Sequence, residues 1–184
     1  MKKYLITDPH YYTTQPNSFA AALNRSLLKY NPDFVCFRDK TEGDKNALLR
    51  LFCDAIKKTD AVSLVNGSLE FALKYQFDGV HLRGDQMSEI KNVKNSGLMC
   101  IVSCHSIDDV FRAIELGCDY ATLSPVFDTP NKGAPLGYER FIEMLSSLDK
   151  NKIFALGGID DEAKADKIAA SGVFGFASIR YFVR

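Results

Sequence analysis

Short runs rich in β-branched and aromatic residues alternate along the chain with longer stretches whose apolar residues return at helical spacing. The short runs predict strands at residues 3–7, 34–38, 63–66, 79–82, 99–103, 120–123, 153–156 and 175–178. Between them, segments such as Phe19-Ala-Ala-Ala-Leu-Asn-Arg-Ser-Leu-Leu and Ala47-Leu-Leu-Arg-Leu-Phe-Cys-Asp-Ala-Ile predict amphipathic helices. Ser106 and Asp160 are expected N-caps, and Gly97, Gly117 and Gly172 fall where a helix should end before the next strand. The repeating unit is strand, helix, glycine. It predicts parallel strands joined by right-handed crossovers.

Such strands can close into a barrel or lie as an open doubly wound sheet. Units of roughly 20 to 30 residues and the lack of a Gly-x-Gly-x-x-Gly after the first strand favour the barrel. The expected fold is therefore an α/β (β/α)₈ TIM barrel spanning residues 1–184 as one domain. At 184 residues it is small, and so few residues follow the eighth strand that the final helix should be truncated.

Composition narrows the partners. Of the residues 46% are hydrophobic, and 23 basic side chains balance 23 acidic ones with no like-charge block beyond Lys57-Lys58. That excludes the electrostatic footprint of a nucleic-acid or membrane-surface binder. No apolar stretch approaches the ~20 residues of a membrane span. Cys36, Cys53, Cys100, Cys104 and Cys118 are odd in number and lack a Cys-x-x-Cys, which predicts reduced core thiols in a cytoplasmic protein.

The chemistry of a (β/α)₈ barrel gathers where strands end at the carboxyl face. Those positions are polar here: Arg38-Asp39-Lys40, Asn66-Gly67, Arg83-Gly84-Asp85-Gln86, Ser103-Cys104-His105-Ser106, and Ser124 through Gly133. Gly157-Gly158 after the seventh strand, followed by a helix, reads as either a tight turn or a phosphate site, and its place in the barrel favours phosphate. Arg38 and Lys40 alternate and suit an anion in the mouth, or form a solvated rim pair. Ser178 and Arg180, at the end of the eighth strand, could add phosphate contacts; a surface arginine fits Arg180 equally well.

Three histidines remain. His10 fits a solvated loop, and His81, inside an apolar run, fits a satisfied core residue. His105 follows a strand and precedes a helix start, so it should stand at the rim, and an imidazole there can exchange protons near neutral pH. Cys104 beside it should point the other way from Ser103 and His105.

Taken in order, Tyr4-Leu-Ile-Thr-Asp8, Phe37-Arg38-Asp-Lys40, Val65-Asn66-Gly67, Gly79-Val-His-Leu82, Val102-Ser-Cys-His-Ser106, Asp119-Tyr120, Ser124-Pro-Val-Phe-Asp-Thr129, Lys132 and Ala155-Leu-Gly-Gly-Ile159 resemble the family of thiamine-phosphate synthase and its sister, the TenI-type aminothiazole tautomerase. The resemblance runs nearly end to end and implies a (β/α)₈ barrel acting on a phosphorylated heterocycle, possible as a homodimer. In the synthase branch Arg38, Lys40, Ser103, Thr129 and Lys132 match positions that contact pyrophosphate, and two aspartates serve Mg²⁺. Here Gly67 and Gln86 stand at those two places, leaving Asp85 as the one nearby carboxylate. In the tautomerase branch Asn66-Gly67 is the matching pair, the residue matching His105 is the acid/base, and no metal is needed.

The expected activity is thus metal-independent isomerisation of a thiazole phosphate carboxylate, with His105 as acid/base and Arg38, Lys40, Asn66, Ser103, Thr129, Lys132, Gly157, Gly158, Ser178 and Arg180 around the ligand. A Mg²⁺-dependent synthase is the alternative. A non-catalytic regulator that binds a thiamine intermediate is the rival from another class.

Overall fold

In a computed structural model that describes residues 1–130 and 133–184, eight strands run parallel and close on themselves in chain order. They are β1 (Lys2–Ile6), β2 (Phe34–Phe37), β3 (Val62–Asn66), β4 (Gly79–Leu82), β5 (Met99–Cys104), β6 (Tyr120–Leu123), β7 (Ile153–Leu156) and β8 (Gly175–Ser178). β1 pairs with β2 on one side and β8 on the other, so no strand edge is left open. Each strand stands within a residue of its expected position. β2 stops before Arg38 because the Arg38 N–H turns to the Thr7 hydroxyl at 2.9 Å.

Around the barrel lie α1 (Pro9–Tyr12), α2 (Pro16–Tyr30), α3 (Asn46–Ile56), α4 (Leu69–Tyr75), α5 (Ile90–Asn95), α6 (Ile107–Glu115), α7 (Tyr138–Leu145) and α8 (Glu162–Ala170). After β8 comes a single 3₁₀ turn, Arg180–Val183, in place of a full helix. Gly97, Gly117 and Gly172 take positive φ just beyond α5, α6 and α8, as expected. Ser106 caps α6 through a reciprocal capping box with Asp109. The expected cap at Asp160 is corrected by one residue: Asp161 accepts the Lys164 N–H at 2.8 Å. A capping side chain sits at the residue just before the first helical one and receives the N–H two or three residues on; α8 begins at Glu162, so Asp160 is one too early. It binds the ammonium of Lys164 at 2.6 Å and the guanidinium of Arg180 at 3.1 Å instead.

Alternation along each strand divides the apolar residues into two layers. Leu5, Val35, Val65, Val80, Val102, Cys104, Leu123 and Ala155 face the helices, whereas Tyr4, Ile6, Phe34, Cys36, Leu64, Ile101, Phe154 and Ala177 fill the barrel. Cys104 therefore points away from the mouth, as expected. Burial pushes the thiols of Cys36, Cys100, Cys104 and Cys118 up to about 12, so they stay protonated and act as small hydrophobes. All five cysteines are free. Among the described residues no helix is long and apolar enough to cross a membrane.

The lower interior is aromatic. The Phe154 ring centroid lies 5.2 Å from those of Tyr4, Phe34 and Phe174 and 5.7 Å from that of Tyr120. Gly175 pairs with Phe154 across β7 and β8, and a Cβ on Gly175 would fall 2.6 Å from that ring and 2.5 Å from the Lys2 carbonyl. The absence of a side chain at Gly175 is what leaves room for the ring. Phe154→Ala should destabilise the fold by about 3–5 kcal/mol. The loss is read as a lower urea midpoint at unchanged slope.

Candidate functional site

The carboxyl ends of the strands open on a cavity of about 510 Å³, a size suited to a small ligand. Ile6, Leu156 and Ile179 give it an apolar floor. Polar side chains from β2 through β6 make most of the wall. At the opposite end of the barrel a wider groove is also polar, but its side chains bind one another or the frame: Lys94 pairs with Asp119 at 2.7 Å, and Asp78 accepts from Ser63.

His105 is the first residue beyond β5, exposed at the cavity rim. Its Nδ1 lies 2.8 Å from the Ser124 carbonyl oxygen. A carbonyl only accepts, so Nδ1 carries the hydrogen and Nε2 keeps the lone pair. The His105 main-chain N–H donates to Asp109 at 3.0 Å, as does that of Ser106. Burial raises the Asp109 carboxyl, but these hydrogen bonds outweigh it and hold the group below its usual range. The capping box of α6 thus also fixes the backbone of His105.

Deeper in the wall, His81 is 2% exposed and fully partnered, as expected of a core histidine. Its Nδ1 lies 2.8 Å from the Tyr4 hydroxyl and its Nε2 3.0 Å from Ser103 Oγ. Burial, reinforced by the charge of Arg38, lowers its pKa to about 4. Burial likewise raises the Tyr4 phenol well above its ordinary value. Phenol, imidazole and hydroxyl are all neutral near pH 7. A neutral imidazole has one N–H and one lone pair, so the hydrogens of this chain run in a single direction and fix the Ser103 hydroxyl at the cavity.

The remaining expected residues divide into three groups. Arg38, Lys40, Asn66, Thr129 and Gly157 line the same cavity as Ser103, His105 and Asp85. Arg38 is held by Asp8 at 2.5 Å, and the Asn66 amide donates to the His81 carbonyl at 3.0 Å. Gly158, Ser178 and Arg180 are not part of this wall. The Ser178 hydroxyl donates to the Ile159 carbonyl at 2.5 Å and accepts the Tyr181 N–H at 3.2 Å, while Arg180 pairs with Asp160. Lys132 lies outside the described residues. His10 sits exposed on α1, its ring edge-on to Tyr11.

Gly157 and Gly158 have φ of 100° and 70°, and a Cβ on either would fall within 2.6 Å of the segment after β6. Close packing of the two loops is therefore sufficient reason for both glycines, and Gly157 presents its backbone to the cavity as well.

The positions expected to matter for magnesium are filled differently. A Cβ at Gly67 would meet the Arg83 guanidinium at 2.9 Å, so a cation stands where a carboxylate would project. Asp85 binds Arg83 Nε at 3.1 Å, with the two side chains 72% and 49% exposed. Such a pair is worth only about 0–1 kcal/mol. Among the described residues no group of three His, Cys, Asp or Glu is placed to hold a metal. Mg²⁺ takes one or two carboxylates together with substrate phosphates and water, and of the two loops in question only Asp85 offers a carboxylate, already paired with Arg83.

Sequence reasoning passed over the Ser124 carbonyl, the partners of His81 and the placement of Arg83. Period-two alternation marks Tyr4, His81 and Ser103 as inward, but only the closing of the barrel brings their side chains into contact.

A closed parallel barrel with a polar small-molecule cavity at its carboxyl face defines the class. The family model described as thiamine monophosphate synthase matches residues 3–182. A *Geobacter sulfurreducens* protein provisionally named a thiamine-phosphate synthase is 36% identical over 187 residues, covering 96% of this chain and 84% of its own. The thiamine-phosphate synthase of *Methanocella arvoryzae* is 30% identical over 165 residues, covering 85% and 76%. Among solved structures, the thiamine phosphate pyrophosphorylase from *Pyrococcus furiosus* superposes with a TM-score of 0.82 at 24% identity, covering 97% of this chain and 85% of that one; it supports the fold. The chain belongs to the thiamine-phosphate synthase/TenI family.

His81 makes acid stability testable. Its imidazole titrates at 6.5 when unfolded and at about 4 when folded, so the unfolded chain binds the proton first. Stability should fall as pH drops from about 6.5 to about 4, by roughly 3 kcal/mol. Urea midpoints across this range should fall less steeply in His81→Asn than in the wild type.

Proposed function

We propose that the chain is an acid/base enzyme of thiamine biosynthesis that isomerises a thiazole phosphate carboxylate without a metal ion. The observation that carries this reading is the hydrogen bond from His105 Nδ1 to the Ser124 carbonyl, which leaves Nε2 as a base at the rim of a ligand-sized cavity. In the proposed step Nε2 takes a proton from one carbon of the ligand. The resulting imidazolium is held at Nδ1 by Ser124 and returns the proton at another carbon, so double bonds shift and composition is unchanged. Gly157 faces the phosphate, Arg38 and Lys40 face the anionic groups, and Ser103 offers a fixed hydroxyl.

The names of the relatives favour a second reading, thiamine-phosphate synthase. Arg38, Lys40, Ser103, Thr129 and Lys132 would then contact pyrophosphate. Glycine at 67, with the Arg83 guanidinium over it, and glutamine at 86 stand where the synthase branch carries its two aspartates, and that is the ground for ranking this reading second.

Turnover separates the two. The wild type should accelerate the isomerisation, followed by ultraviolet absorbance, and His105→Ala should slow it by about 10²–10⁴-fold while ligand affinity changes little. Thiamine phosphate formed from hydroxymethylpyrimidine diphosphate, thiazole phosphate and Mg²⁺, with no isomerisation, would establish the synthase instead. Binding without either turnover, unchanged in His105→Ala, would point to a regulator.

A further inference from the structure

Among the described residues three basic side chains of lysine or arginine line the cavity: Arg38, Lys40 and Arg83. Arg38 is tied to Asp8 beneath the rim. Arg83 is built in differently. Its main-chain N–H donates to Gln86 Oε1 at 3.1 Å, and Gln86 Nε2 donates to the Gly67 carbonyl at 2.9 Å. This amide clamp joins the ends of β3 and β4. The guanidinium then lies over Gly67, whose φ of 73° and missing side chain leave the space: a Cβ there would be 2.9 Å from Nη1 and 3.2 Å from Gln86 Oε1. Asp85 engages only Nε, in an exposed pair that exchanges readily with a better acceptor.

Position around the barrel adds a second constraint. Arg83 follows β4, next to β5 and His105, whereas Gly157 follows β7, three strands further round. A ligand whose phosphate rests at Gly157 and whose reacting carbons rest at His105 would direct its far end toward β4.

We propose that Arg83 is a specificity-determining residue that binds a carboxylate at the end of the ligand remote from its phosphate, and that Gly67 is glycine to seat the guanidinium. The site thereby selects heterocyclic monophosphates that also carry a carboxylate, using a planar fork that matches that group. This rests on the function proposed above and names how its substrate is recognised.

The test compares equilibrium binding of two compounds, the thiazole ethyl phosphate bearing a ring carboxylate and the same phosphate lacking it, by calorimetry. The wild type should prefer the carboxylate. Arg83→Gln should weaken the carboxylated compound about tenfold or more and the other less than about threefold. Arg83→Lys should retain part of the preference, and Gly67→Ala should lose it by displacing the guanidinium, with folding of each variant checked by circular dichroism. Equal loss for both compounds, or no loss, overturns the role of Arg83 and leaves the proposed function standing. If the wild type binds neither compound, the function and this inference both fail.

Discussion

In a parallel barrel closed on itself, each strand can turn only every second side chain inward, and no free edge exists at which a strand could slip to relieve a misfit. The side chains that the strands deliver to the cavity follow from that parity. Ser103 reaches the interior because Cys104 does not, and His105 returns to the mouth two residues later. Arg38 and Lys40, Asn66 and His81 are delivered on the same terms. A slip of one residue in β5 would turn Cys104 inward and send Ser103 and His105 to the helices. Hydrophobic demand enforces the register, since the helix-facing side of β5 is apolar and excludes those polar groups.

The interior is divided along the barrel axis. Aromatic rings around Phe154 fill the end remote from the site, and polar groups occupy the upper wall. A buried imidazole is tolerated at this boundary because both ring nitrogens have partners and the proton is excluded. The two histidines of the site therefore differ in kind. His81 is held neutral by desolvation and fixes a hydroxyl. His105, at the rim with one nitrogen committed to a carbonyl, keeps the other open to a ligand.

Local pattern made most of this legible. Strand positions, the helix-capping serine, the outward cysteine and a single cavity gathering Arg38, Lys40, Asn66, Ser103, Thr129 and His105 all follow from period and from where strands end. What escaped depends on pairing between distant segments. The Tyr4–His81–Ser103 chain joins residues from β1, β4 and β5. Ser178 and Arg180 show the converse: both sit at the expected place in the chain, yet their hydrogen-bonding groups are engaged by the Ile159 carbonyl and by Asp160. Position in the chain names candidates. Competition among nearby partners decides which are left for a ligand.

Between Cys104 and the start of α6 stand only His105 and Ser106, both committed to Asp109 through their main-chain N–H groups. By contrast, the connections after β2 and β6 run through residues 38–45 and 124–137 before their helices begin. Insertions and deletions in the short connection would tear the helix start away from the barrel, whereas the two long ones can vary in length around it. The rim histidine is thus locked into the frame by a connection of fixed length, while changes of length are confined to the longer connections around it.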